Sequence, residues 1–414
     1  MTSRADLIAD VVINQFNKLP TKRKPGIRDN GFHEWVPLSG IVAEEDGHLT
    51  CIALATGMKC LPTSKLPEAN GNGIHDWHAE ILAIRTFNRF LLDECRALSA
   101  GKAGNGFGVL ESCASKPDAR VSTSRAPFRV RDGILLHMYC SEAPCGDASM
   151  ELTMAAQDDA SPWPTPDYAP ASAAASSDAT LPGRAYFSQL GIVRRKPARG
   201  DAPPTLSKSC SDKIALKQCT SLLSSLAALL VDPKGAYIDS LVLPLSQYSS
   251  TACERAFAAS GRMGAVAGEK GWSGGYGFRP FAVETTTREF GFSRRAVQAR
   301  ADKISPSNLA AAWSLSGFEE SILGGVVQGR RPFDPRGASR MSRRQMWVLA
   351  REVASQLRDH DDIKHCLDGR SYQEVKHGPL LATRRAVKAE LRGTALAGWV
   401  INDGDSGFGI DVGV

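Results

Sequence analysis

Residues 4–18, RADLIADVVINQFNK, place Leu7, Ile8, Val11, Val12 and Phe16 at three- and four-residue intervals, which predicts an amphipathic helix. Residues 31–60, GFHEWVPLSGIVAEEDGHLTCIALATGMKC, read instead as two strands joined by a polar turn at Glu44–His48. The pattern then changes abruptly. In GIHDWHAEILAIRTF, residues 73–87, His75, Asp76, His78 and Glu80 crowd ahead of Ile81, Leu82, Ile84 and Phe87. The apolar positions predict a helix running on to about Cys95. The polar crowding is either a charged cap or a chemical site on the helix's first turn.

Further along, residues 99–125 are rich in Gly, Ser and Lys and read as a loop, and ILLHMYC predicts a buried strand entering a Pro-Cys-Gly turn. Residues 155–206 are dominated by Pro, Ala and Ser, the composition of a flexible insertion. Helical texture returns in SCSDKIALKQCTSLLSSLAALLVDP, strands in SLVLPL and FRPFAVETT, and helices in SRRQMWVLAREVASQL and in the tail from Tyr372 to Trp399.

Composition narrows the class. The chain has 414 residues, 43% hydrophobic and 23% charged, which is ordinary globular usage with ample length for a large core. Net charge is +6, unevenly spread: residues 279–400 hold 21 Lys/Arg against 13 Asp/Glu, a net of +8, so the rest carries −2. A basic C-terminal third fits a nucleic-acid or phosphate partner, and equally fits solvated helix faces. The N-terminus has no signal-peptide pattern, and no run of 18 apolar residues predicts a membrane span. Ten cysteines at irregular spacing point to thiols or metal ligands in a reducing, intracellular compartment, nucleus or cytoplasm.

Two short motifs carry chemistry. In HAE, His78 could bind a metal through a ring nitrogen, and Glu80 could move protons without binding it. In SEAPCGDAS, Cys145 follows a proline at the mouth of a buried strand and is read as opening a helix, where a thiolate is stabilised. HxE followed by strand-then-PC is the zinc deaminase signature, which normally has a second cysteine three positions on. Ala148 stands there instead. A catalytic zinc needs three protein ligands, and Cys210 in KSCSDKIAL is the candidate third, although spacing alone would not pair it with Cys145.

HAE, PCGD and SCSDKIA, in this order, resemble the RNA adenosine deaminases, which include the double-stranded RNA editors and the tRNA-specific enzymes. The resemblance runs from about residue 56 to Trp399. It implies an α/β fold, a cytidine-deaminase-like three-layer α/β/α core with a central mixed sheet, enlarged by a helical C-terminal part around a buried polyanion. It implies one domain over residues 1–414, with the insertion at about 155–206 inside it. It makes His78, Cys145 and Cys210 the zinc ligands and Glu80 the proton shuttle for hydrolysis of adenosine to inosine. Only about 30 residues precede the first strands, too few for the RNA-binding modules of the editors. That favours the branch acting on the adenosine 3′-adjacent to the anticodon, position 37, of eukaryotic alanine tRNA, as a monomer. Deamination of double-stranded or messenger RNA, of free nucleosides or of cytosine, and a non-catalytic RNA-binding relative, are the alternatives.

The resemblance also implies a structural inositol hexakisphosphate. Its candidate ligands are His75, Arg85, Lys213, Lys217, Ser225, Arg343, Tyr372, Lys376, Arg384, Lys388 and Trp399. Several Lys and Arg inside apolar patterns demand an anion, because a buried unpaired cation is very costly. The chain departs from the editors at His75 (an asparagine there), at Leu216 (an arginine) and at Lys217 (a tryptophan). Lys59 is the candidate phosphate contact beside the flipped nucleotide. Basic residues around Arg120–Arg131 could also touch the RNA backbone.

Overall fold

The computed structural model describes residues 2–101, 108–113, 126–157, 161, 186–196, 202–268 and 271–410. Most of the 155–206 insertion and of the 99–125 loop, with Arg120, lies outside the described residues.

Twelve strands are present among the described residues: β1 His33–Trp35, β2 Leu38–Glu45, β3 His48–Thr56, β4 Leu110–Ser112, β5 Phe128–Val130, β6 Leu135–Cys140, β7 Ser240–Pro244, β8 Ala282–Thr286, β9 Ile304–Pro306, β10 Ala310–Ser314, β11 Phe318–Leu323 and β12 Val326–Val327. Eight form one mixed sheet in the order β12-β11-β10-β3-β2-β6-β7-β8. The β6–β7 and β7–β8 pairs are parallel and the others antiparallel. β1 pairs with β9 and β4 with β5 in two small ribbons. The predicted hairpin β2–β3 turns where its polar residues lie, with Glu45 opposite His48. β4 falls inside the stretch expected to be loop.

The sheet's pleat sends alternate side chains to two cores. On one face Val42, Leu54, Tyr139 and Val242 meet Ile8, Val12 and Phe16 of the predicted helix, observed at Arg4–Asn17. On the other, Ile41, Ile52, Met138 and Leu241 meet Phe87, Phe90 and Leu91 of the helix Ala79–Ser99. Each of these wholly buried side chains contributes about 2 kcal/mol of transfer free energy. The result is an α/β fold with helices on both faces of a large mixed sheet. Among the described residues no helix is long and apolar enough to cross a membrane.

Two helical readings need correction. The helix starting at Cys210 ends at Thr220, because Ser221 takes a left-handed φ of 56°, and helix resumes only at Ala227–Leu230. Ser225 therefore lies in the connecting turn and not on the helix that carries Lys217. The tail is likewise split, into Tyr372–His377 and Ala382–Gly393, at Gly378-Pro379, where proline cannot continue a helix.

Candidate active site

The sheet register brings one end of several strands together: Leu38 opposite Thr56, and Ser39 opposite Cys140. The chemistry-bearing residues gather there. After β3, Gly57 accepts a hydrogen bond from the Ala79 amide at 2.9 Å, and the Lys59 carbonyl accepts from Trp77 at 3.0 Å. A Cβ at Gly57 would sit 2.2 Å from the Trp77 carbonyl oxygen, so this loop can hold the HAE segment closely only with glycine there. His78 is the N-cap residue of the helix Ala79–Ser99, and Glu80 is buried in its first turn. The polar crowding seen in the sequence is thus a chemical site at a helix start.

Cys145 follows β6 through a turn and does not open a helix as expected. A single 3-10 turn, Asp147–Ser149, intervenes before the short helix Met150–Ala155. Gly146 has φ 101°, and a Cβ there would lie 2.3 Å from Ser209 Oγ. That close approach seats the Cys145 turn on the start of the Cys210 helix. The Cys210 amide donates to Cys145 Sγ at 3.3 Å, and Ser211 Oγ donates to the Pro144 carbonyl at 2.9 Å. Two cysteines 65 positions apart become neighbours.

The electrostatics follow from burial. The Cys145 thiol is held well below its usual range, first by the hydrogen bond from Cys210, then by Lys196 and His78. Burial and Cys145 raise the Cys210 thiol, so one thiolate is stabilised in the pair. Burial and the Cys145 thiolate also raise the Glu80 carboxyl. Lys196 Nζ lies 3.2 Å from Cys210 Sγ and 2.9 Å from Asp76 Oδ2. Burial opposes the Lys196 charge, but Asp76, Cys145 and Cys210 outweigh it and keep the ammonium protonated. Asp76 gathers the rest of this network. Its carboxylate accepts from His78 Nδ1 at 2.8 Å and from Ser207 Oγ at 2.7 Å, and it pairs with Lys213.

Lys196, an ordinary-looking lysine in RRKP, and Cys60 were not anticipated, and neither has a local sequence signal. Cys60 Sγ approaches His78 Nδ1 at 3.5 Å. Among the described residues the donor atoms within 4.8 Å of one another are those of Cys60, Asp76 and His78. The set expected for zinc, His78, Cys145 and Cys210, is one ring nitrogen and two sulfurs, with Cys210 buried, His78 and Cys145 half-buried and Lys196 beside the sulfurs, but its donor atoms do not all lie within that distance of one another. That donor chemistry fits a catalytic zinc with one open position. Against burial and Lys196, Cys60 and Asp76 push the His78 ring up to about 10. The Asp76 carboxylate therefore favours positive charge on the ring at this position.

The cationic residues form a second, adjoining group. Burial and Arg343 push Arg85 down to about 10. Burial, Arg384 and Arg85 lower Lys217, while burial, Arg384, Lys217 and Lys376 lower Lys388. Burial and Arg343 lower Lys376. Arg384 donates to the Thr220 carbonyl that ends the Cys210 helix, where the helix dipole favours cations, and Lys217 and Arg384 both donate to the Leu223 carbonyl in the turn beyond it. Arg343 and Lys376 face the Tyr372 ring at 5.8 Å. Arg392, which was not anticipated, joins them. Of the other expected members, Lys213 pairs with Asp76, Trp399 packs under Lys208 at 5.1 Å, and Ser225 lies in the turn after the Cys210 helix. Buried cations that depress one another, together with the unpartnered buried atoms His75 Nδ1 and Arg384 Nε, fit a phosphate-dense anion.

His75 binds the chain's C-terminal segment. Its Nε2 lies 2.6 Å from Asp405 Oδ2, Asp405 Oδ1 accepts from Gly71 at 2.7 Å, and Arg343 donates to the Asp405 carbonyl at 2.6 Å. Burial and Arg343 push the His75 ring down to about 4 despite that carboxylate. Phe408 stacks on Tyr372 at 5.2 Å, fastening the same segment. Asp405→Ala is expected to destabilise the fold by about 3 kcal/mol in urea unfolding, because it strands buried donors. A change under about 0.5 kcal/mol, the range of a plain surface substitution, would refute this role.

Sheet and site together define a nucleobase deaminase. Residues 53–403 match the adenosine-deaminase (editase) domain, and the chain belongs to that family, whose members deaminate adenosine. The chain is 34% identical over 406 residues to tRNA-specific adenosine deaminase 1 of Schizosaccharomyces pombe, covering 97% of this chain and 95% of that protein. The Saccharomyces cerevisiae protein of the same name is 35% identical over 249 residues, 57% of this chain and 58% of that protein. The Homo sapiens one is 35% identical over 146 residues, 34% of this chain and 27% of that protein.

Proposed function

We propose that this enzyme converts adenosine to inosine in tRNA, at the position 3′-adjacent to the anticodon of alanine tRNA. The observation that carries the reading is that three separate segments bring Cys145 against Cys210 and put the charges of His78 and Cys145 within reach of Glu80. The near full-length match to a tRNA-specific adenosine deaminase 1 supports the substrate class. The motif resemblance supports the position.

His78, Cys145 and Cys210 would hold zinc, and bound zinc makes water acidic enough to supply hydroxide near neutral pH. Glu80 takes the water proton and delivers it to the base nitrogen as C6 is attacked. It then takes the proton of the new C6 hydroxyl and passes it to the amino group, which leaves as ammonia as the C6 carbonyl forms, and inosine remains. Burial suits Glu80 to both halves of this exchange, because it raises the carboxyl toward the operating pH. Asp76 orients the His78 ring, and Lys196 ties that carboxylate to Cys210. The reacting adenine must leave its stack to reach this recess, which favours an unpaired loop nucleotide. Lys59, half-buried beside the HAE segment, is placed to meet its phosphate.

Arg85, Lys217, Arg343, Lys376, Arg384 and Lys388 would hold inositol hexakisphosphate as a structural core. An intracellular setting suits ten cysteines that are all free thiols.

Incubation with alanine tRNA, followed by reverse transcription and sequencing, is expected to show inosine at position 37. Deamination of free adenosine with tRNA untouched would overturn the reading.

A further inference from the structure

Between Gln328 and Arg344 the chain has six arginines and one acid, Asp334. Arg343 and Arg344 begin the helix Arg343–Gln356 and turn inward to Asp405 and Gly409. Arg330, Arg331, Arg336 and Arg340 are exposed. Asp334 pairs with Arg336 at 3.0 Å. Arg330 and Arg340 form no ion pair among the described residues, and Arg331 forms none either but acts on Asp334 through its charge.

The loop carrying them is rigid. Asp334 caps its 3-10 turn, Ser339 Oγ donates to Glu320, and the Arg340 amide donates to Glu320 at 3.0 Å. Arg89 of the HAE helix donates to the Arg340 carbonyl at 3.0 Å. Phe333 is held at a left-handed φ of 58°, a strained conformation for a bulky residue, with its ring against Gly73 and its carbonyl accepting from Asn72 at 3.0 Å. The β11–β12 turn before it is bonded to the same stretch, Ile74 donating to the Gly325 carbonyl at 2.8 Å. Residues 72–74 lead directly into His78. The arginine array is thereby fixed to the segment that enters the active site.

We propose that Arg330, Arg331 and Arg340 form a preorganised cradle for the sugar-phosphate backbone of the RNA substrate beside the reacting nucleotide. The inference rests on the tRNA reading above. Unpaired guanidinium groups match phosphate oxygens in bidentate geometry, and a loop already rigid loses little freedom when it binds. Such contacts set the register of the substrate and leave base identity to the pocket.

The test compares the full chain with the triple variant R330Q/R331Q/R340Q on alanine tRNA, over a series of salt concentrations. The variant is expected to raise Kd and KM about tenfold or more, and to flatten the slope of log Kd against log salt by about two to three. Turnover at saturating tRNA should stay within about twofold, since uniform binding is what is removed. R330K/R331K/R340K should keep the salt slope while losing part of the affinity that bidentate contact supplies, and R370Q, at an exposed arginine paired with Glu374, should behave as wild type. An unchanged salt slope in the glutamine variant overturns the proposal. So does a slope flattened equally in the lysine variant, which would assign the effect to loop shape and not charge. Wild-type protein that binds tRNA with this slope but forms no inosine would overturn the function and leave the cradle standing.

Discussion

Glu80→Gln is expected to lower turnover on tRNA by a thousandfold or so while leaving zinc content and unfolding midpoint unchanged. Glutamine keeps the side chain's volume in its buried recess and removes only the ability to carry a proton. Glu80 contacts the metal group electrostatically, through Cys145 and His78, and is not among the donors assigned to zinc. The contrasting variant is Cys210→Ser, which should lose zinc and activity together, because a serine hydroxyl remains protonated where a thiolate is needed. Metal analysis beside single-turnover kinetics separates the two. Glu80→Gln protein that still makes inosine at a rate near wild type would remove Glu80 from the mechanism.

The second large effect concerns the cationic group. Purified protein is expected to carry phosphorus in stoichiometric excess over zinc without any inositol phosphate having been added. Protein unfolded in denaturant and freed of small molecules should fail to refold alone, and should refold when inositol hexakisphosphate is supplied. The reason is the geometry of this group: burial, Arg384 and Arg85 lower Lys217, and burial, Arg384 and Lys217 lower Lys388. Removing a paired buried charge's partner typically costs about 3–5 kcal/mol, and here several cations would share one partner. Elemental analysis showing zinc without phosphorus, with full refolding from denaturant, would reject the anion. Lys388→Met should weaken retention of the anion, seen as a lower phosphorus-to-zinc ratio.

Periodicity in the chain was enough to determine the first helix, the β2–β3 hairpin, the HAE helix and the strand leading to Cys145. Each is a local pattern of 3.6 or 2 residues, and burial of one face enforces it. The same local reading ran the Cys210 helix too far. Arg384 bonds its last carbonyl, at Thr220, Lys217 bonds the carbonyls of Leu222 and Leu223 in the following turn, and Ser221 turns left-handed instead of extending the helix. The motifs HAE, PCGD and SCSDKIA named the site residues because they resemble a family pattern, but nothing in their spacing said that Cys145 and Cys210 would touch. That adjacency depends on Gly146 and Ser209 meeting across the fold.

Other partnerships had no local signal at all. Asp405 reaches His75 across 330 positions, Lys196 reaches Asp76 across 120, and Cys60 reaches His78 across 18. The sequence by itself determined the α/β elements and the kinds of donor available. The tertiary structure decided which donors meet, because a polar pair gains its strength from being desolvated together, and desolvation is a property of the packed chain and not of any segment in it.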